Sequence, residues 1–313
     1  MKAIVLLNSG AGSLLNADGQ QEAERVRARF GATGVEADVR MLAGPDLPEA
    51  VKAALASPVE MIVAGGGDGT LNAVASELID TGKIFAALPL GTLNHLAKEL
   101  GMPQELDAAI DAVGRGRVRE MNVGEVNGRP FLLFSAIGLY ADIIKHRDAQ
   151  RKALGRKKWP AMFVAAVRML TRFPLTWVKI TTTEGSWWRL TPAVYVSISE
   201  YQKELLGVED VACRERQGLD VFVAAKTKRL GVIWLLVKTL FGLVKPLKDF
   251  EAMCVQEFEL NLRQRHVRVG MDGEVVSMET PLKYRLRRGV LRVMVPAEEA
   301  PGLSDDPPGA PIP

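Results

Sequence analysis

The sequence predicts an α/β domain built on a parallel sheet, followed by a second, mainly antiparallel β domain. Over roughly the first 120 residues, apolar runs of strand length alternate with amphipathic runs of helix length. After residue 117 that rhythm gives way to short strands separated by turn signals.

In the first part, Lys2 to Leu7 is an apolar run of strand length, and Gln20 to Phe30 has helical spacing with charged faces. Strands are expected again at Val35 to Met41, Glu60 to Ala64 and Ile84 to Leu88, each followed by a helix: Pro48 to Ala56, Leu71 to Asp80 and Leu93 to Leu100. Ligands of such sheets bind in the loops beyond the carboxyl ends of the strands.

In the second part, Val118 to Val126 and Phe131 to Ile137 flank Asn127-Gly128, a strong hairpin signal. Trp177 to Thr183 and Trp188 to Ile198 flank Glu184-Gly185-Ser186. Further strands are expected at Leu219 to Ala225, Glu257 to Leu262, His266 to Met271, Val275 to Met278, Leu282 to Leu286 and Val290 to Val295. Helical stretches at Asp142 to Arg172 and Leu230 to Val244 interrupt them. The expected domains are 1–123 and 124–295, with a proline-rich tail at 296–313 expected to be disordered.

Composition narrows the classes. With 40 basic and 37 acidic residues the net charge is +3, too weak and too mixed to argue nucleic-acid binding. Two cysteines, Cys213 and Cys254, have no metal-like spacing, and a reducing cytoplasm fits them better than a disulfide framework. The first apolar run is short for a signal-peptide core. Gly231 to Leu247 is the most apolar segment, but Lys238, Lys245 and Pro246 leave it short of the roughly 20 residues that a membrane span requires. No transmembrane segment is expected; that stretch fits a buried helix or one lying on a membrane surface.

The strongest chemical signal is the strand Met61-Ile62-Val63-Ala64 running into Gly65-Gly66-Gly67-Asp68-Gly69-Thr70-Leu71-Asn72. Glycines let backbone N–H groups approach an anion closely, and a helix N-terminus adds a favourable dipole. The run lacks the Gly-Lys-Ser/Thr of a Walker A loop and has Thr70 where the dinucleotide fingerprint requires its third glycine. The same residues also fit a plain glycine turn with Thr70 as a helix cap. Asp68 would repel a phosphate unless a cation or a hydroxyl donor joined them. Two companions end neighbouring strands at the same predicted edge: Asn8-Ser9-Gly10-Ala11-Gly12-Ser13 and Pro89-Leu90-Gly91-Thr92-Leu93-Asn94. Together the three loops have the make-up of a nucleotide cleft.

These motifs resemble the diacylglycerol kinase catalytic-domain family, bacterial soluble lipid kinases related to sphingosine and ceramide kinases. Gly66-Gly67-Asp68-Gly69-Thr70 matches its GGDGT signature, and Pro89 to Asn94 its PLGTxN element. Asn8 to Gly12 resembles its first loop, with Ser9 for the usual proline; Ile137 to Asp142 resembles its G-x-x-A-D segment; and Asp272-Gly273-Glu274 matches its DGE element. GGDGT alone is shared with NAD kinases and phosphofructokinases, whereas the ordered set is far more specific.

The resemblance implies a phosphofructokinase- or NAD-kinase-like nucleotide domain, a C-terminal β-sandwich, and an active site between them. It implies ATP and Mg²⁺, with Asn8, Ser9, Gly10, Gly66, Gly67, Asp68, Gly69, Thr70, Asn72, Thr92 and Asn94 as nucleotide contacts. It makes Asp272 and Glu274 the catalytic carboxylates. The expected acceptor is a lipid hydroxyl, foremost that of diacylglycerol, met by a cytoplasmic protein peripheral to the inner face of the membrane. A homodimer is left open. Alternatives are another acceptor, a sphingoid lipid or NAD, and a non-catalytic lipid or nucleotide carrier.

The sequence also departs from the family. His95 stands where many relatives have Asp, and Gln217 replaces the Asp of a structural Mg²⁺ stretch, so no metal ligands are assigned. The basic run Arg151 to Lys158 fits a solvated helix face or a membrane-facing patch. Asp272-Gly273 equally fits a plain hairpin turn.

Overall fold

The computed structural model describes residues 1–12, 18–138, 175–199, 218–224 and 250–297. Two units emerge, Met1–Met121 with Gly289 onward, and Asn122–Arg288. The expected helices at 142–172 and 230–244, the basic run at 151–158, Gln217 and nearly all of the tail lie outside the described residues.

In the first unit, β1 (Lys2–Asn8), β3 (Met61–Gly66) and β4 (Ile84–Pro89) pair in parallel, with Leu7 opposite Gly65 and Gly66 opposite Pro89. β3 and β4 are buried along their whole length and β1 over all but its ends. That burial is why they read as continuous apolar runs rather than alternating ones. β2 (Glu36–Leu42) pairs in parallel with β1 on the sheet's outer side and alternates exposed and buried over its first half. Helices α1 (Gly19–Ala32), α2 (Leu47–Ala56), α3 (Asp68–Glu77), α4 (His95–Glu99) and α5 (Leu106–Arg115) connect or follow these strands.

α5 was not anticipated from the sequence. Its Glu105 carboxylate caps it by accepting N–H bonds from Asp107 and Ala108, and Ala109, Ile110 and Val113 form its buried face. Arg25 and Arg29 of α1 reach Asp107 and Asp111 of α5. Such solvent-exposed pairs contribute little, so the apolar face holds the helix.

The second unit is a sandwich of two antiparallel sheets. One has the order β16-β13-β8-β9, from β8 (Thr176–Thr182), β9 (Gly185–Thr191), β13 (Glu257–Leu262) and β16 (Leu282–Val295). A hairpin of β5 (Arg117–Val126) and β6 (Arg129–Phe131) joins it at β16. The other has the order β12-β11-β10-β7-β14-β15. Its strands are β7 (Phe134–Gly138), β10 (Ala193–Ser197), β11 (Leu219–Ala224), β12 (Phe250–Val255), β14 (His266–Met271) and β15 (Glu274–Glu279). Inward residues of both sheets share one core, including Val178, Ile180, Val221, Phe258, Leu260, Val269 and Tyr284. Phe258 and Tyr284 stack at 4.7 Å, and the Tyr284 hydroxyl bridges to Ser135 on the opposite sheet at 3.1 Å.

Several sequence expectations change. The single run Trp188 to Ile198 is two strands in different sheets, broken at Pro192. Proline has no N–H for a ladder, and the single Thr191 hydroxyl proton is shared between the carbonyls of Ala193 and Ala224 at the crossover. Leu282–Leu286 and Val290–Val295 are one strand, β16, with Gly289 at φ +62° within it. Beyond that glycine β16 enters the first unit and pairs in parallel with β4, Arg292 opposite Ile84. β12 was not anticipated, and its Cys254 is disulfide-bonded, against the expectation of reduced thiols. Asn127 and Gly128 take positive φ at the β5–β6 turn, as a type I′ hairpin requires.

Candidate functional site

Parallel pairing and shared register bring the ends of β1, β3 and β4 to one edge of the first unit's sheet. The loops that follow are packed together. At Gly91 an added Cβ would lie 2.5 Å from the Gly67 Cα and 2.8 Å from Asn94 Oδ1. At Gly66 it would collide with Thr70, and at Gly65 with Leu7. These glycines are therefore set by close approach. Gly67 lies at φ −83° and makes no demand for positive φ.

Hydrogen bonds complete the packing. Asn8 donates from Nδ2 to Thr70 Oγ1 at 2.8 Å and accepts from the Gly10 N–H at 3.0 Å, so the first loop is tied to the glycine loop. Ser9 is exposed and bonds the Leu42 carbonyl through both N–H and Oγ. Asn94, buried and left-handed at φ +54°, closes its own loop: Oδ1 accepts from the Gly91 N–H, and Nδ2 donates to the Gly91 carbonyl and to Gln104. Thr92 is exposed at that loop's tip, and Asn72 is half-buried on the second turn of α3.

The position of Asp68 removes the difficulty of an acid in a phosphate loop. Its carboxylate accepts backbone N–H bonds from Asn94 at 3.1 Å and from His95 at 2.5 Å, with Leu96 at 3.4 Å. It thus caps α4 from the neighbouring loop. The N-terminus of α3 itself has Gly67 at its cap position and no side-chain cap bond, so Thr70 is not the cap. α3 has glycines at its cap and at its second position and no side-chain cap bond, and with the Asp68 carboxylate bonded to the N–H groups that open α4 its N-terminus is suited to an anion.

In the second unit Asp272-Gly273 forms the two-residue turn between β14 and β15, with φ +47° and +94°. The half-buried Asp272 carboxylate accepts three backbone N–H bonds, from Leu132 at 2.6 Å, Leu133 at 2.9 Å and Phe134 at 3.0 Å. Burial pushes this carboxyl up to about 6; the three N–H donors pull it down, and the Glu274 charge adds to the rise. Glu274, the first residue of β15, is exposed. The Asp272 carboxylate thus fixes the turn, while Glu274 faces solvent.

Sequence reasoning passed over Gly91 as a site residue, although it lay inside a motif; its importance comes from the close approach to Gly67. It also passed over Gln104 and the 132–134 backbone, which carry no compositional signal. Among the described residues no group of three or more His, Cys, Asp or Glu is placed to hold a metal, and Asp68 has its oxygens engaged by N–H groups.

Fold and site together define a protein with a glycine-lined cradle on an α/β unit and an antiparallel sandwich alongside it in sequence. Residues 2–126 match the family model described as the diacylglycerol kinase catalytic domain. Over 87 residues the chain is 40% identical to a protein of Klebsiella pneumoniae named probable lipid kinase YegS-like, covering 27% of this chain and 29% of that one. A diacylglycerol kinase of Bacillus subtilis is 35% identical over 101 residues, 31% of this chain and 33% of its own. A protein of Pseudomonas aeruginosa named probable lipid kinase YegS-like is 37% identical over 140 residues, 42% and 46%. The matched stretches thus span less than half of these relatives. A solved structure of a diacylglycerol kinase from Bacillus anthracis superposes with a TM-score of 0.69 over 94% of this chain and 96% of its own, at 23% identity, which speaks for the fold.

Proposed function

We propose that this protein transfers the γ-phosphoryl group of ATP to a hydroxyl group of a membrane lipid, with diacylglycerol as the acceptor and phosphatidic acid as the product. The observation that carries the reading is the uncapped N-terminus of α3, framed by the Gly67–Gly91 approach and the Asn8–Thr70 bond. This is a cradle for polyphosphate in the segment that matches the family model.

In the reaction the lipid hydroxyl oxygen forms a bond to the γ-phosphorus as the bond to the bridging β–γ oxygen breaks, and ADP leaves. Glu274 is the base that accepts the hydroxyl proton, because its carboxylate is exposed. Asp272 is a positioning residue, since its oxygens hold the turn that carries Glu274. Phosphate oxygens near the α3 N-terminus would be met by backbone N–H groups and by the helix dipole. Mg²⁺ would arrive with the nucleotide, as is usual for this ion; no residue here is assigned to it.

A lipid acceptor puts the protein at the membrane surface, on the side where ATP is found. The contact we propose with the bilayer is peripheral; among the described residues no helix is long and apolar enough to cross a membrane. The test is incubation with radiolabelled ATP, Mg²⁺ and total membrane lipids, followed by separation of the lipids. A labelled lipid that disappears with Glu274→Gln supports the reading. Label found only in a soluble acceptor, or transfer undiminished by Glu274→Gln, contradicts it.

A further inference from the structure

The β8–β9 hairpin forms one end of its sheet and breaks the rule that solvent-facing positions of a sandwich are polar. Its inner face packs Val178, Ile180 and Trp187 on the core. On the outer face, Trp177 stands opposite Leu190 and Lys179 opposite Trp188. Trp177 is 43% exposed, Trp188 51% and Leu190 39%, with Leu175 beside them at 43%. Two half-exposed tryptophans and two leucines in one patch mark an interaction surface rather than scattered apolar residues.

The patch is basic. Arg189 ties the edge strand to the other sheet through Glu251 at 2.7 Å. Lys179 lies between the tryptophans, and the exposed Arg263 follows the end of β13 next to β8. Neither cation pairs with a carboxylate among the described residues, whereas nearby Arg265 is paired with Glu279. The acids of the same outer face, Glu257 and Glu259, sit opposite Arg285 and Lys283, towards the far end of the strands. Tryptophan favours the boundary between headgroups and acyl chains, and unpaired cations favour an anionic leaflet.

We propose that the outer face of the β8–β9 hairpin is the surface by which this protein seats on an anionic lipid bilayer. Trp177, Trp188 and Leu190 enter the headgroup region, and Lys179 and Arg263 meet lipid phosphates. The proposal deepens the lipid-kinase reading and rests on it for the location of the substrate.

The test is cosedimentation of the full-length protein with phosphatidylcholine vesicles, with and without phosphatidylserine. It is paired with phosphorylation of a short-chain, water-soluble diacylglycerol. The wild type binds the mixed vesicles more tightly than the neutral ones. Trp177→Ser with Trp188→Ser lowers binding at least about tenfold. Lys179→Glu, a milder surface change, lowers binding to the anionic vesicles about fivefold or more and leaves binding to the neutral ones unchanged. Both variants keep wild-type turnover of the soluble substrate. Vesicle binding that these substitutions leave intact overturns the proposal. So does a shift from dimer to monomer on substitution with unchanged vesicle binding, which would make a second copy the occupant. If vesicle binding responds as expected while no protein phosphorylates the soluble lipid, the docking surface stands and the kinase assignment fails.

Discussion

Gly91→Ala is the sharpest probe of the cradle. The added Cβ would sit 2.5 Å from the Gly67 Cα and 2.8 Å from Asn94 Oδ1. Carbon atoms in contact lie about 3.5–4.0 Å apart, so the two loops must separate by about 1 Å. The obstacle at Gly67 is backbone and cannot swing aside. The Asn94 side chain is held by its own bonds to the Gly91 N–H and carbonyl. Overpacking of this kind costs about 1–3 kcal/mol, which lowers Tm by about 3–10 °C for a unit of this size. A displacement of about 1 Å at a positioning loop can reduce turnover about 100-fold. The matching control is Gly69→Ala, where nothing lies within 4 Å of the added atom. In the first turn of a helix that change is neutral or stabilises by up to about 1 kcal/mol. The assays are thermal unfolding and ATP titration calorimetry on both variants. Unchanged Tm and ATP affinity in Gly91→Ala would refute the loop contact on which the cradle depends.

Glu274→Gln should lower phosphoryl transfer by about 10²–10⁴-fold while leaving the unfolding midpoint unchanged, because the side chain is exposed; a full-rate variant removes Glu274 as the base. Asp272→Ala should destabilise the protein by about 1–3 kcal/mol through the orphaned N–H groups, measured by denaturant unfolding. Asp272 also sets a pH signature. Its folded carboxyl is raised to about 6, above the ordinary value of about 4. Its contribution is therefore full below about pH 4 and is lost as the pH climbs through about 6. The stability difference between wild type and Asp272→Asn should shrink over that window, and a growing difference would contradict the burial argument. Asp68→Ala should cost about 1–2 kcal/mol by uncapping α4 and weaken ATP binding, with Asp68→Asn in between. If only ATP binding changes and stability does not, Asp68 belongs to the ligand and not to the loop.

Much of the architecture was legible in the sequence because it is encoded locally. The runs that became β1, β3 and β4 are apolar throughout, since neighbours cover both their faces. The turns at Asn127-Gly128 and Asp272-Gly273 follow from backbone angles that few residues accept. The motif glycines marked where chains approach closely, although not which chain each one meets. α5 escaped notice although its Glu105 cap and apolar face were in plain view.

Tertiary structure alone decided the rest, and each case turns on a partner distant in the chain. Asp68 accepts the N–H groups of Asn94 and His95 from the next loop, a contact that the glycine motif alone does not reveal. Asp272 holds its turn through N–H groups of residues 132–134, about 140 positions away, which no local pattern around it signals. The return of β16 to β4 and the exposure of Trp177 beside buried Val178 have the same origin. Periodicity records whether a residue is covered, because covering depends on local geometry and solvent transfer. It does not record what covers it, because that is set only when the whole chain closes and distant groups compete for the same donors and surfaces.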